Sequence, residues 1–230
     1  MNKDVDSLSR VTFLFDVDNT LLDNDSVAAD LQRHLASEIG GEGAREYWRI
    51  FEHLRTELGY ADYLGALQRY RDKHPRAPHL VCVSEFLINY SFAERLFPEA
   101  LKVIEHVQRW GPAVIVSDGD VVFQPLKISR SGLANAVSGR VVIYVHKEQE
   151  LDDVEQRYPA EHYVLVDDKL RILAAVKELW GSRVTTIFVR QGHYATNPEI
   201  LATYEPADIS IGQIADLLQY RLPELLNPKL

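Results

Sequence analysis

Hydrophobic and polar positions follow two different periods along this chain, and the change of period divides it. Val11-Thr12-Phe13-Leu14-Phe15 is a short apolar run rich in β-branched and aromatic residues. Such a run fits a strand buried on both faces. After a polar stretch over residues 21–26, with Asp25 or Ser26 as the expected helix cap, the period lengthens. Val27, Leu31, Leu35 and Ile39 recur at helical spacing until Gly40-Gly41, the pattern of an amphipathic helix with a C-terminal glycine. Tyr47, Phe51, Leu54 and Leu58 repeat it up to Gly59. Tyr63, Leu67 and Tyr70 form a shorter stripe before His74-Pro75, and residues 80–92 read as one more helix. No convincing strand falls between residues 24 and 94.

From Pro98 strand and helix alternate. Leu101, Ile104 and Val107 make a helix closed by Trp110-Gly111. Apolar runs at 113–117, 141–145, 163–166, 185–189 and 209–211 read as strands, with helical stripes over 124–133, 172–179 and around Ile214, Leu217 and Leu218. This alternation predicts a parallel sheet with right-handed crossovers. The expected fold is α/β, a Rossmann-like parallel sheet of about five to six strands with helices on both faces. Residues 1–23 and 95–230 would form that core, and residues 24–94 a helical insert after the first strand. The insert leaves the core just past Asp16 and Asp18, so it is placed to cover whatever those residues do.

The 230 residues carry 46% apolar and 10% aromatic side chains, ordinary values that suit one globular chain with or without an insert. Net charge is −9, with acids and bases mixed, which argues against a nucleic-acid binder and its basic face. The single cysteine, Cys82, rules out an intramolecular disulfide and suits a reducing compartment. Its apolar neighbours predict a packing role. Residues 1–10 are polar, without the apolar run of a signal peptide. No stretch approaches the roughly 18 apolar residues of a membrane span. These features predict a cytoplasmic protein, monomer or homodimer, whose partner is neither nucleic acid nor membrane.

Chemistry enters at the strand ends. The first strand runs into Asp16 and Asp18, two acids on the same side of an extended chain. They repel each other, so either a cation sits between them or one keeps its proton. The second strand ends in Ser117, followed by Asp118-Gly119; the third is followed by His146-Lys147; the fourth ends in Asp167-Asp168. A parallel sheet brings those ends to one edge, where open α/β sheets carry their sites. Carboxylates suit a hard divalent ion such as Mg²⁺. A hydroxyl and an ammonium group suit an anion, and phosphate is the anion that would also ligate Mg²⁺. The constellation predicts phosphoryl transfer.

These residues resemble the motifs of the haloacid dehalogenase-like (HAD) superfamily, and within it the phosphatases with a helical cap inserted after the first motif. Asp16-Val17-Asp18-Asn19-Thr20 matches DxDxT, Ser117 the Ser or Thr of the next strand, Lys147 the isolated lysine, and Asp167-Asp168 the acidic pair. The resemblance implies a Mg²⁺-dependent phosphatase acting on a small phosphorylated metabolite. Asp16 would be the nucleophile that forms an aspartyl-phosphate, and Asp18 the general acid and base. Mg²⁺ would be held by Asp16, the backbone carbonyl of Asp18 and Asp168, with Asp167 in support. Ser117 and Lys147 would hold the phosphoryl oxygens, with Asp118 beside them, although Asp118 also reads as a cap of the following turn. Lys127 is a competing lysine, but it falls inside a predicted helix.

Three other readings share these motifs: a phosphomutase, a 2-haloacid dehalogenase, and a non-catalytic binding protein of the same fold. A dehalogenase needs only the nucleophile, so Asp18 speaks for the phosphatase. In the insert, Arg45, Arg49 and Arg55 share a helix with Trp48 and His53. The plain reading is a solvated helix side with Trp48 in the insert's core; the sharper one is a face that recognises an anionic leaving group.

Overall fold

The computed structural model describes residues 9–228; of the polar stretch at residues 1–10, all but Ser9 and Arg10 lies outside them. β1 (Ser9–Phe15) is followed by α1 (Asn24–Leu58), α2 (Tyr63–Lys73), α3 (Leu80–Ile88) and α4 (Ala100–Val107), then by β2 (Ala113–Asp118). α5 (Phe123–Arg130) and α6 (Leu133–Ala136) lead to β3 (Val141–Tyr144), and α7 (Leu151–Arg157) to β4 (Ala160–Asp167). α8 (Leu170–Trp180) leads to β5 (Val184–Val189), and α9 (Gly192–Ala195) and α10 (Pro198–Thr203) to β6 (Ile209–Ile211); α11 (Leu222–Leu226) follows. The six strands form one sheet in the order β3-β2-β1-β4-β5-β6, and every pairing is parallel. The chain winds outward from β1 in one direction through β2 and β3, and in the other through β4 to β6. The strand order therefore reverses at β1, where such sheets open a crevice.

Alternation along β1 serves both faces of the sheet. Val11, Phe13 and Phe15 join one hydrophobic cluster, and Leu14 the other. The first cluster continues without a break into α1, α2 and α3 through Leu31, Tyr47, Tyr63 and Val83. The second lies under α7 and α8, with Val154, Leu173 and Val176. None of the helices in the described residues is long and apolar enough to cross a membrane.

The break expected at Gly40 is present: within the α1 span Gly40 leaves helical geometry, at φ 74° and ψ 165°, and the chain kinks between two helical segments. Elsewhere the elements depart from the sequence reading in specific ways. The cap of α1 is Asp23, which accepts from the Ser26 N–H at 2.9 Å; Asp25 and Ser26 already lie in the first turn. Cys82 is exposed, a correction to its expected packing role. The buried stripe of α3 is Leu80, Val83 and Leu87, and position 82 falls off it. The final helix around Ile214 is a 3₁₀ turn, Ile214–Gln219.

Gly111 precedes β2 where the backbone of β1 passes closest. A Cβ there would stand 2.0 Å from the Val11 carbonyl oxygen, and a backbone atom cannot rotate away. Gly111→Ala is expected to destabilise the fold by about 1–3 kcal/mol, the usual cost of overpacking. Denaturant unfolding measures it, and an unchanged midpoint would show that the strands can part there freely.

Candidate active site

The turn after β1 is held by its own polar groups. The Asp16 N–H donates to Val166 O at 3.0 Å, which carries the β1–β4 ladder one residue further. The N–H groups of Thr20, Leu21 and Leu22 all return to Val17 O. Asn19 adopts φ 60°, a left-handed conformation that Asn tolerates better than most residues. Its side-chain oxygen accepts from the N–H groups of Asn24 and Asp25 at 3.1 and 3.2 Å. Asp16 is thereby fixed at the strand end, buried, with Thr20 Oγ1 donating to its Oδ2 at 3.3 Å.

Lys147 arrives from a 3₁₀ turn after β3. Its Nζ lies 2.5 Å from Asp16 Oδ1 and 2.7 Å from Asp167 Oδ2, and it donates to Val116 O at 3.3 Å. Burial works against its charge, but Asp16, Asp167 and Asp118 more than offset that and raise its pKa. It stays an ammonium group. Asp118 Oδ1 accepts from the Lys147 N–H at 2.8 Å, so the Asp118 carboxylate anchors the lysine's turn. Burial raises the Asp118 carboxyl, against the pull of Lys147.

Asp167 and Asp168 end β4 beside Asp16. One carboxylate oxygen from each of Asp16, Asp167 and Asp168 lies within 4.8 Å of the others. Asp167 Oδ1 accepts from the Lys169 N–H at 2.8 Å. Burial, with the Asp16 charge added and Lys147 opposing, pushes the Asp167 carboxyl up to about 6. Asp168 is more extreme. Both its oxygens are buried without a hydrogen-bond partner. Burial raises its carboxyl well above the usual range; Lys169 opposes this, and Asp167 and Asp16 add to it.

Ser117 and Asp18 meet on α5. Gln124 Nε2 donates to Ser117 Oγ at 2.9 Å and lies 3.4 Å from Asp18 Oδ2. Lys127 Nζ donates to Asp18 Oδ1 at 2.7 Å. All seven residues singled out at the strand ends therefore converge on one rim. Lys127 is not the lysine beside Asp16, but it belongs to the same site through Asp18. Neither Gln124 nor Lys169 is among the site residues that the sequence predicts. Gln124 and Lys127 stand one turn apart on the helix after Ser117, and Lys169 directly follows the acidic pair; those spacings were the available signals.

A cleft of about 640 Å³ opens above this rim. Asp18, Asp118 and Lys169 line it, together with Trp48 and Arg55 of α1 and Tyr194 of α9. Lys169 Nζ sits 5.5 Å from the Tyr194 ring centroid. The basic side chains of α1 split: Arg55 faces the cleft, while Arg49 and His53 line a separate groove.

The sequence profile of the haloacid dehalogenase-like hydrolases matches residues 11–179. A solved structure from Burkholderia xenovorans LB400, described as haloacid dehalogenase-like, is 58% identical, covers 93% of this chain and 99% of that one, and superposes with a TM-score of 0.89. The HAD-hydrolase YfnB of Bacillus subtilis, bound to magnesium, is 21% identical over 93% and 98% of the two chains, with a TM-score of 0.57. An L-2-haloacid dehalogenase is 17% identical over 93% and 99%, with a TM-score of 0.60. No curated protein matches the chain significantly.

Proposed function

The chain belongs to the haloacid dehalogenase-like hydrolases, and we propose that it acts there as a Mg²⁺-dependent phosphatase of a small phosphorylated metabolite. One observation carries the choice: the two unpartnered oxygens of Asp168, buried beside Asp16 and Asp167. A buried carboxylate without a donor is costly. A cation removes the cost, and oxygen donors at this spacing suit a hard divalent ion. Asp16, Asp167 and Asp168 would hold it, with the backbone of Asp18 adding an oxygen. When bound, Mg²⁺ supplies positive charge to the phosphoryl oxygens.

The chain's own residues do the rest. The Asp16 carboxylate attacks phosphorus; the P–O bond to the leaving group breaks, and the phosphoryl group rests on Asp16. Lys147 offsets the charge repulsion between the carboxylate and the phosphate. Asp18 gives its proton to the leaving oxygen. It then takes one from the water that attacks phosphorus and frees Asp16, contributing about 10²–10⁴-fold as acid and base. Helices α1 to α3 take the part of a cap over a cleft whose size suits a small molecule.

The test measures phosphate release from a panel of phosphorylated metabolites with Mg²⁺, and halide release from 2-haloacids with and without it. Phosphate release that chelation abolishes is expected. Metal-independent halide release with no phosphatase activity would overturn the reading.

A further inference from the structure

Lys127 is a buried charge for which the proposed chemistry has no task. Its side chain is 1% exposed, and a lysine in that position must be paired to stay charged. Its Nζ donates to Asp18 Oδ1 at 2.7 Å and to Asn24 Oδ1 at 2.9 Å. Gln124, one turn earlier on α5, reaches the other Asp18 oxygen at 3.4 Å. Residues three apart share a helix face, so a single face of α5 grips both oxygens of Asp18. On the far side, Asn24 is the first residue of α1, and its Nδ2 donates to the Tyr63 hydroxyl of α2 at 3.3 Å. A continuous chain of polar contacts runs from Asp18 through Lys127 and Asn24 to the helices above the cleft.

We propose that Lys127 is a positioning residue that aims the Asp18 carboxylate at the leaving-group oxygen and couples its orientation to the placement of α1 and α2. The inference rests on the phosphatase reading. A salt bridge that only braced the fold would slow every substrate alike. A residue that aims a general acid affects poor leaving groups more than good ones, because an alkoxide needs the proton and a nitrophenolate hardly does.

The experiment compares kcat/KM for an alkyl phosphate and for p-nitrophenyl phosphate, with Mg²⁺, in wild type, Lys127→Met, Lys127→Arg, Asp18→Asn and the double variant Asp18→Asn/Lys127→Met. The Asp18 side chain is 22% exposed, so water can solvate it once Lys127 is gone. Lys127→Met is expected to lose about tenfold more on the alkyl ester than on the aryl ester, part of the range of a general acid. Lys127→Arg should recover part of that ratio, and the double variant should be no slower than Asp18→Asn alone. Equal losses on both esters, or a double variant slowed by the product of the single losses, would overturn the positioning role and leave the phosphatase reading standing. If Lys127→Met does not fold, the ester ratio in Lys127→Arg decides alone. No turnover of either ester by wild type would overturn both.

Discussion

Asp16→Asn is expected to release no measurable phosphate from p-nitrophenyl phosphate with Mg²⁺, a loss on the order of 10⁴–10⁶-fold, as for other nucleophile knockouts. An amide has no anionic oxygen to attack phosphorus, so the covalent route closes. The fold should survive. Asn has the shape of Asp, its oxygen can still face Lys147, and its amide can donate to Thr20 Oγ1 where the carboxylate now accepts. The melting temperature should therefore stay within a few degrees, given about 2–4 °C per kcal/mol in a chain of this size. Undiminished phosphate release by the folded variant would remove Asp16 as the nucleophile.

Asp168→Asn should separate the cost of the acidic cluster from its use. Without metal, the wild type buries a carboxylate that no group donates to. The variant should therefore melt higher than wild type in EDTA, by on the order of 1–4 kcal/mol of stability, the gain seen when buried charge is removed. The sign with pH follows from linkage. The folded pKa of Asp168 lies above its unfolded value, so the folded chain holds the extra proton and loses stability as pH rises from the usual carboxylate range toward the raised one. Asp167, pushed up to about 6, acts in the same direction between about pH 4 and pH 6. The difference between variant and wild type should widen as pH rises past about 4. Mg²⁺ should reverse the order, raising the wild-type melting temperature and leaving the variant nearly unmoved. A variant that melts lower than wild type in EDTA, or still responds fully to Mg²⁺, would remove Asp168 from the ion's ligands.

The rim was legible in the sequence because a parallel sheet turns chain order into geometry. Once 113–117, 141–145 and 163–166 read as strands alternating with helices, their polar ends could only gather at one edge. Ser117, Lys147 and the acidic pair followed from that. Asp16 and Asp18 share one turn but not one environment. Asp16 faces Lys147, and Asp18 faces α5. That difference depends on the turn through Asn19 and on side-chain length, which periodicity does not encode. Lys127 was hidden for a similar reason. A lysine in an amphipathic helix normally points to solvent, and only tertiary contacts, with Asp18 after β1 and Asn24 of α1, show that this one is held inside. The break at Gly40 was legible because a glycine pair interrupts the hydrophobic stripe, and Gly40 indeed leaves helical geometry there.

The proposed hydrolysis requires a phosphoryl group to pass through Asp16. Acid quenching during turnover with Mg²⁺ in ¹⁸O-labelled water, followed by mass spectrometry of the peptide that contains Asp16, decides this. The peptide should carry a phosphoryl group on Asp16, and the label should appear in released phosphate but not in the Asp16 carboxylate. Turnover with an unmodified peptide, or ¹⁸O built into Asp16 itself, would contradict it.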